Sequence, residues 1–252
     1  MQSASEIKDI LKNIDIKEIS AFINEYENDE RNAVQKLVES ARKKQDKYFA
    51  ELKRIEQMKM YEREYAHYGY ICGIDEVGRG PLAGPVYTAA VILPADNELL
   101  YVNDSKKLSE KKREELYDEI MNTAIAVGIG HNSPERIDEI NILQATYEAM
   151  AMAVNNLSVK PDVLLIDAVH IPQLENYKQV SIIKGDAKSI SIAAASIVAK
   201  VTRDRLMQEY AREYPEYGFE HNKGYGSADH IAALKKYGPC PIHRNSFIGN
   251  FI

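Results

Sequence analysis

The sequence predicts an α/β protein, a sheet flanked by helices, with a helical extension ahead of it. Three observations point there. Residues 1–66 contain no glycine or proline, and their apolar residues recur at helical spacing. From Gly69 onward, short apolar runs bounded by Gly, Pro or polar turns alternate with helical stretches. The run Val163-Leu164-Leu165-Ile166 is apolar at every position, as a central strand buried on both faces should be.

Taken in order, the extension is assigned to 1–68 and the α/β domain to 69–252. Asp15 with Glu18 resembles a capping box, and Ile19, Phe22, Ile23 and Tyr26 follow on one face. After Asn28-Asp29-Glu30, the residues Val34, Leu37, Val38, Ala41, Gln45, Tyr48, Leu52 and Ile55 keep a spacing of three and four. This predicts one long amphipathic helix over 31–64. Its middle is basic: Arg42, Lys43, Lys44, Lys47, Lys53, Arg54, Lys59 and Arg63 outweigh Asp46, Glu51, Glu56 and Glu62. Such a run is either a solvated face or an arm that grips nucleic-acid backbone.

Strands are expected at 71–74, 86–93 and 124–129, with a short charged helix opening at Ser109-Glu110 and ending near 121. Leu143, Tyr147, Met150, Val154 and Leu157 form one stripe, which predicts a helix over 138–157. The strand at 163–166 follows, then another at 180–183. A long helix over 191–214 is small and apolar all round in its first half and is stopped by Pro215. A short helix is expected at 230–237.

Composition bounds the function. The 252 residues suit one good-sized domain plus an extension, or two small domains, and 45% hydrophobic with 28% charged residues is ordinary for a globular core. No apolar run approaches the roughly 20 residues that span a bilayer, and no apolar signal region opens the chain. Cys72 and Cys240 lie far apart and form no metal-ligand pattern. The expectation is a cytoplasmic monomer with no membrane partner. A net charge of −6 argues mildly against a nucleic-acid binder. Clustered site carboxylates lower that total, however, while a local basic surface still meets phosphates.

The chemistry-bearing stretch runs from Ile71 to Pro85. Its apolar run ends in Asp75-Glu76, and Gly78-Arg79-Gly80 follows at once. Acids at the end of a buried strand are costly unless paired, hydrogen-bonded or holding a cation. The glycines let backbone amides approach an anion closely, and Arg79 adds a forked donor suited to phosphate. Asp167 and Asp186 likewise follow apolar runs. If the strand at 71–74 lies parallel to and beside the one at 163–166, Asp75 and Asp167 meet at the sheet edge where α/β proteins tend to place sites. Four carboxylates without Cys or His favour hard cations, Mg²⁺ or Mn²⁺, which serve phosphoryl transfer. Adjacent strand residues face opposite ways, so Asp75 and Glu76 share a site only if the strand ends or bends there. The bland alternative is a set of solvated turn acids.

The stretch from Ile74 to Pro85 resembles the signature of bacterial ribonuclease HII, the type 2 ribonuclease H. Further blocks match in order: Asn103-Asp104-Ser105-Lys106-Lys107-Leu108, Asp138-Glu139-Ile140-Asn141-Ile142, Leu165-Ile166-Asp167-Ala168, Lys184-Gly185-Asp186, the segment from Ser191 to Asp204, and Tyr217-Gly218-Phe219 with Asn222-Lys223-Gly224-Tyr225-Gly226. The resemblance spans about 71–247. It implies a ribonuclease H-like mixed sheet flanked by helices, and endonucleolytic cleavage of RNA in RNA–DNA hybrids and at ribonucleotides embedded in duplex DNA. The implied ends are 3′-hydroxyl and 5′-phosphate, as ribonucleotide excision repair requires. Carried over by position, Asp75, Glu76, Asp167 and Asp186 are the catalytic acids, with Asp75, Glu76 and Asp167 the principal metal ligands. Gly78, Arg79, Gly80 and Tyr225 are implied to touch the ribonucleotide, and Lys106 is a candidate phosphate contact. Arg79 between its glycines matches type 2, where the type 3 relative is expected to carry Lys. Two rivals stand beside this one: a catalytically inactive hybrid-binding module, and a nuclease of the same fold acting on DNA. The six histidines show no ligand spacing, with His221 of interest only for its place beside the Tyr225 motif.

Overall fold

The computed structural model describes residues 2–252 and divides into two units, the first ending at Gln57 and the second spanning Met58–Ile252. In the first unit, α1 (Ala4–Asn13) opens with a true capping box. The Ser3 hydroxyl accepts from the Glu6 amide, and the Glu6 carboxylate accepts from the Ser3 amide at 2.7 Å. α2 (Ile19–Tyr26) and the first half of α3 (Asn32–Met58) bury Ile19, Phe22, Ile23, Tyr26, Val34, Val38 and Ala41 against Ile7 and Leu11 of α1. The predicted box at Asp15 is different in fact. Asp15 accepts from the Lys17 amide at 2.8 Å and caps a single 3₁₀ turn, and α2 starts behind it at Ile19 with no side-chain cap.

The long helix expected over 31–64 is two helices. α3 stops at Met58, Lys59 leaves helical geometry (φ −86°, ψ 3°), and α4 spans Met60–Tyr65. Packing assigns α4 to the second unit, which begins at Met58. Tyr61 and Tyr65 pack on Ile71, Val163, Leu165, Ile182 and Ile192. Glu62 accepts hydrogen bonds from the Ser189 hydroxyl (2.5 Å) and the Ser191 amide (3.0 Å), which caps the helix that follows them.

The second unit is built on a five-stranded mixed sheet in the order β3-β2-β1-β4-β5. β1 (Ile71–Val77) pairs antiparallel with β2 (Val86–Ile92), which pairs antiparallel with β3 (Ala126–Asn132). On its other side β1 runs parallel to β4 (Val163–Asp167), and β4 runs parallel to β5 (Lys178–Ile182). The β1–β4 adjacency expected from the two apolar runs is therefore present. After β2 come α5 (Glu110–Thr123), α6 (Pro134–Asn155), α7 (Ile190–Glu213), α8 (Phe219–Asn222), α9 (Ala228–Tyr237) and α10 (Asn245–Ile248). α6 starts four residues earlier than expected, on Pro134 with Ser133 as its cap. It breaks at Asn141 (φ 67°), whose side chain caps the restart by accepting from the Leu143 and Gln144 amides.

Strand alternation sorts the core. Cys72, Ile74, Leu164 and Ile166 pack with Met150, Ala153 and Val154 of α6 on one face. Ile71, Val163 and Leu165 pack with Ile192 of α7 on the other. Gly73 lies on the α7 side and permits direct backbone contact, since a Cβ there would sit 2.1 Å from the Ser191 carbonyl carbon. Among the described residues no helix is long and apolar enough to cross a membrane.

Candidate active site

The acids occupy the edge where the parallel ladder runs out. β1 and β4 stay in register through Ile74 opposite Ile166, so the next residues, Asp75 and Asp167, emerge side by side. β1 itself is longer than its apolar run: Asp75 and Glu76 still pair with Ala89 and Thr88 of β2. Asp75 continues the α7 face and meets the Ser196 side chain, while one of its oxygens accepts from the Glu76 amide at 2.8 Å. Asp167 Oδ1 accepts from the Gly185 amide at 2.7 Å, drawing in the turn that carries Asp186.

After Val77 the chain turns at Gly78, whose φ of +89° belongs to the left-handed region, and a Cβ there would meet Arg203 Nε at 2.4 Å. The strand does not end at the acids, since Asp75, Glu76 and Val77 all pair with β2, yet the two acids share a site. Both line one cavity of about 410 Å³, together with Gly78, Arg79, Gly80, Ser105, Lys106, Ser196, Lys200 and Tyr225. Arg79 reaches back to Glu76 at 3.3 Å, and the Tyr225 ring stands next to Gly80. Of the residues singled out from sequence, seven share this cavity; Asp167 and Asp186 do not line it, but the charge of Asp167 acts on Asp75 and Glu76, and on Asp186 in turn. A second half-enclosed cavity of about 350 Å³, at the opposite end of β1, is lined mostly by apolar groups such as Leu93, Pro94 and Ile125 and gathers no comparable set of acids.

Asp75, Glu76 and Asp186 resist ionisation. Burial, and then the charges of Glu76 and Asp167, push Asp75 well above the ordinary carboxylate range, with Ser196 pulling back. Burial raises Glu76 against the opposing pull of Arg79 and Lys106. Asp186 is raised by burial, then by Asp104 and Asp167, with Lys106 and Lys107 opposing. Asp104, unremarked as a single residue in the sequence, therefore belongs to the electrostatics of the site. Glu76 Oε2 is buried without a hydrogen-bond partner. Among the described residues no three His, Cys, Asp or Glu side chains form a closed ligand set. A hard divalent cation nevertheless fits the donors: all are carboxylate oxygens, one is orphaned, and added positive charge relieves the repulsion that raises the others.

Two buried arginines, not anticipated from sequence, build the walls. Arg203 donates to the carbonyls of Pro85 (2.9 Å), Lys223 (2.8 Å) and Ala83 (3.1 Å). Arg244 donates to those of Gly84 (2.9 Å), Arg79 (2.9 Å) and Gly78 (2.5 Å). Their partners lie more than a hundred residues away along the chain, apart from Lys223, so local pattern carried no signal.

A mixed sheet of this order, with acids emerging together from adjacent parallel strands beside a glycine-rich basic loop, defines a nuclease of the ribonuclease H-like fold class. The solved ribonuclease H2 from Pyrococcus horikoshii OT3 superposes with a TM-score of 0.59 and 29% identity, over 70% of this chain and 93% of that one. A family model described as Ribonuclease HII matches residues 72–250, and one described as Ribonuclease HII N-terminal domain matches 3–66. The Ribonuclease HII of Lachnoclostridium phytofermentans is 61% identical over 248 residues, 97% of each chain. That of Clostridioides difficile is 49% identical over 253 residues, covering 100% of this chain and 99% of its own. The chain belongs to the ribonuclease HII family. It is accordingly a hydrolytic nuclease, an endoribonuclease of RNA in RNA–DNA hybrids.

Proposed function

We propose that the enzyme cuts at ribonucleotides in duplex DNA as well as in longer hybrids, leaving a 3′-hydroxyl and a 5′-phosphate. The observation that carries this is the single cavity in which Asp75 and Glu76 face Gly78–Gly80 and Tyr225. Acids suited to a phosphodiester beside a loop and ring suited to the 2′-hydroxyl, the group that distinguishes RNA from DNA at one position, support this reading. In hydrolysis a water oxygen bonds to phosphorus, the bond from phosphorus to the 3′-oxygen breaks, and the departing oxygen takes up a proton. Asp75, Glu76 and Asp167 would hold Mg²⁺ or Mn²⁺, with Asp186 completing the set; such ions supply charge that activates a water and stabilises the leaving oxygen.

The chain's own groups orient the substrate. Arg79 and the flanking amides take the backbone and 2′-hydroxyl, and Tyr225 presents a half-exposed ring to the sugar on the far side of the junction. Lys106, on the cavity wall, reaches toward a phosphate. A binding module without catalysis is disfavoured because all four acids are retained. The test is a labelled DNA duplex containing one ribonucleotide, incubated with Mg²⁺, Mn²⁺ or chelator beside an all-DNA control. A metal-dependent cut 5′ to the ribonucleotide with the control intact is expected. Cleavage of long hybrid alone removes the single-ribonucleotide activity, and binding without cleavage of either favours the module.

A further inference from the structure

Two adjacent residues near the chain's end each hold one of the two recognition elements. Arg244 is fully buried, and every hydrogen bond of its guanidinium goes to backbone carbonyls, two of them Gly78 and Arg79. Those carbonyls are thereby turned inward. The amides of Arg79 and Gly80 have no partner among the described residues and are left for a ligand. Burial and the neighbouring Arg203 draw Arg244 down to about 9, so it remains cationic at neutral pH, close behind a loop meant for an anion.

The preceding residue, His243, starts a chain of hydrogen bonds that ends on Tyr225. The Cys240 amide donates to His243 Nδ1 at 3.0 Å, which fixes the His243 proton on Nε2. Nε2–H of His243 then donates to His230 Nε2 at 3.0 Å, and Nδ1–H of His230 donates to the Tyr225 carbonyl at 2.9 Å. With an amide N–H at one end and a carbonyl at the other, this assignment of two neutral rings satisfies both ends of the chain; His243 Nδ1 then accepts from the Cys240 amide, and from the Cys240 thiol at 3.1 Å, and makes no hydrogen bond to the Cys240 carbonyl 3.3 Å away. Both rings are buried among Tyr217 and Phe219. The strap itself is pinned to the loop by the Arg244 amide donating to the Leu82 carbonyl at 2.9 Å and by a bridge between Ala83 and His243.

We propose that His243 and Arg244 are positioning residues for ribonucleotide recognition, a strap that fixes the Gly78–Gly80 loop and Tyr225 at a set distance from each other. The inference rests on the reading of that loop and Tyr225 given above. Its function is specificity: a loop and a ring anchored on consecutive residues move together, so the space for the 2′-hydroxyl is held constant.

The test compares Arg244→Lys, which keeps the charge but cannot fork to three carbonyls, with His243→Phe, which cuts the chain to Tyr225. Each is made alone and together with Tyr225→Ala, and His243→Gln, which retains an amide donor and acceptor, serves as the conservative rescue. Readouts are kcat and KM on the single-ribonucleotide duplex, affinity for an all-DNA duplex of the same sequence, and the melting temperature. A misplacement near an ångström predicts a loss of about tenfold to a hundredfold in kcat/KM for Arg244→Lys and His243→Phe. All-DNA affinity should hold within about twofold, since nonspecific binding is set by phosphate contacts. His243→Phe should cost little further once Tyr225 is already Ala, and His243→Gln should recover most of the rate. If folded Arg244→Lys and His243→Phe cleave as wild type, or if His243→Phe costs the same with and without the Tyr225 ring, the strap is refuted. Should His243→Phe fail to fold, Arg244→Lys decides: wild-type cleavage by that folded variant refutes the strap. A wild type that does not cut this duplex, or a Tyr225→Ala protein that cuts it normally, instead removes the underlying site reading, and the strap with it.

Discussion

Gly73 offers the sharpest test of how the fold sets the site. A Cβ there would lie 2.1 Å from the Ser191 carbonyl carbon and 2.3 Å from both the Ser191 oxygen and the Ile192 nitrogen, where ordinary contact begins at 3.4 Å. These atoms are helix backbone, not a side chain that swings away. Gly73→Ala therefore requires the start of α7 to lift off β1 by more than an ångström. α7 carries Ser196, which faces Asp75 two residues along β1, and Arg203, which holds the loop carbonyls. Overpacking of this kind costs about 1–3 kcal/mol. For a unit of this size that corresponds to a fall of about 3–10 °C in melting temperature. Displacing Ser196 and Asp75 should also lower turnover by about tenfold to a hundredfold. Circular dichroism in chelator reads the first effect and single-turnover cleavage of a hybrid the second. Gly249→Ala, where an added Cβ meets nothing within 4 Å, is the matched control. A Gly73→Ala protein that melts and cleaves like wild type would show that α7 does not fix the acids through this contact.

Other predictions follow from the same geometry. The folded-state pKa of Asp75 is raised by burial and like charge, so folding favours its protonated form; with divalent ions chelated, its contribution to stability falls as pH rises above the unfolded carboxylate value. Asp75→Asn should flatten that decline in a pH series of urea melts, and an unchanged slope contradicts the sign. Cys72 is buried and its thiol is pushed far up, while Cys240 is pushed up to about 11. Thiol titration at pH 7 should find Cys72 unreactive until the protein unfolds and Cys240 slow; rapid labelling of Cys72 in the native state would mean that β1 opens. Starting the chain at Met58 removes the first unit with its basic residues, and should raise KM several-fold with kcat nearly kept, whereas an unaltered KM removes the gripping-arm idea.

Much of this architecture was legible because it is local. Fully apolar Val163–Ile166 marked a central strand, the Leu143–Leu157 stripe marked α6, and the small residues ahead of Pro215 marked α7; each signal lies within one element. The edge shared by Asp75 and Asp167 followed once those strands were taken as parallel neighbours, and the ladder ending at Ile74 opposite Ile166 realises it. What stayed hidden depends on distant partners. Arg203 and Arg244 bind carbonyls across the chain, so in sequence they read as ordinary charges. His230 and His243 have no ligand spacing because they bind each other and two backbone groups. The break at Lys59 was invisible because apolar spacing continues through it; the change of partner, with α4 packing on the sheet and Glu62 capping α7, sets the boundary.

The central claim is that the buried acids at the β1–β4 edge carry the chemistry. It is tested most directly by single-turnover cleavage of an RNA–DNA hybrid at saturating Mg²⁺ or Mn²⁺, comparing wild type with Asp75→Asn, with hybrid affinity measured in parallel. Retained affinity with a rate lower by about a thousandfold or more is the predicted result, because loss of one central carboxylate removes stabilisation made chiefly in the transition state. An Asp75→Asn protein that binds and cleaves at the wild-type rate would contradict the assignment and move the chemistry away from these acids.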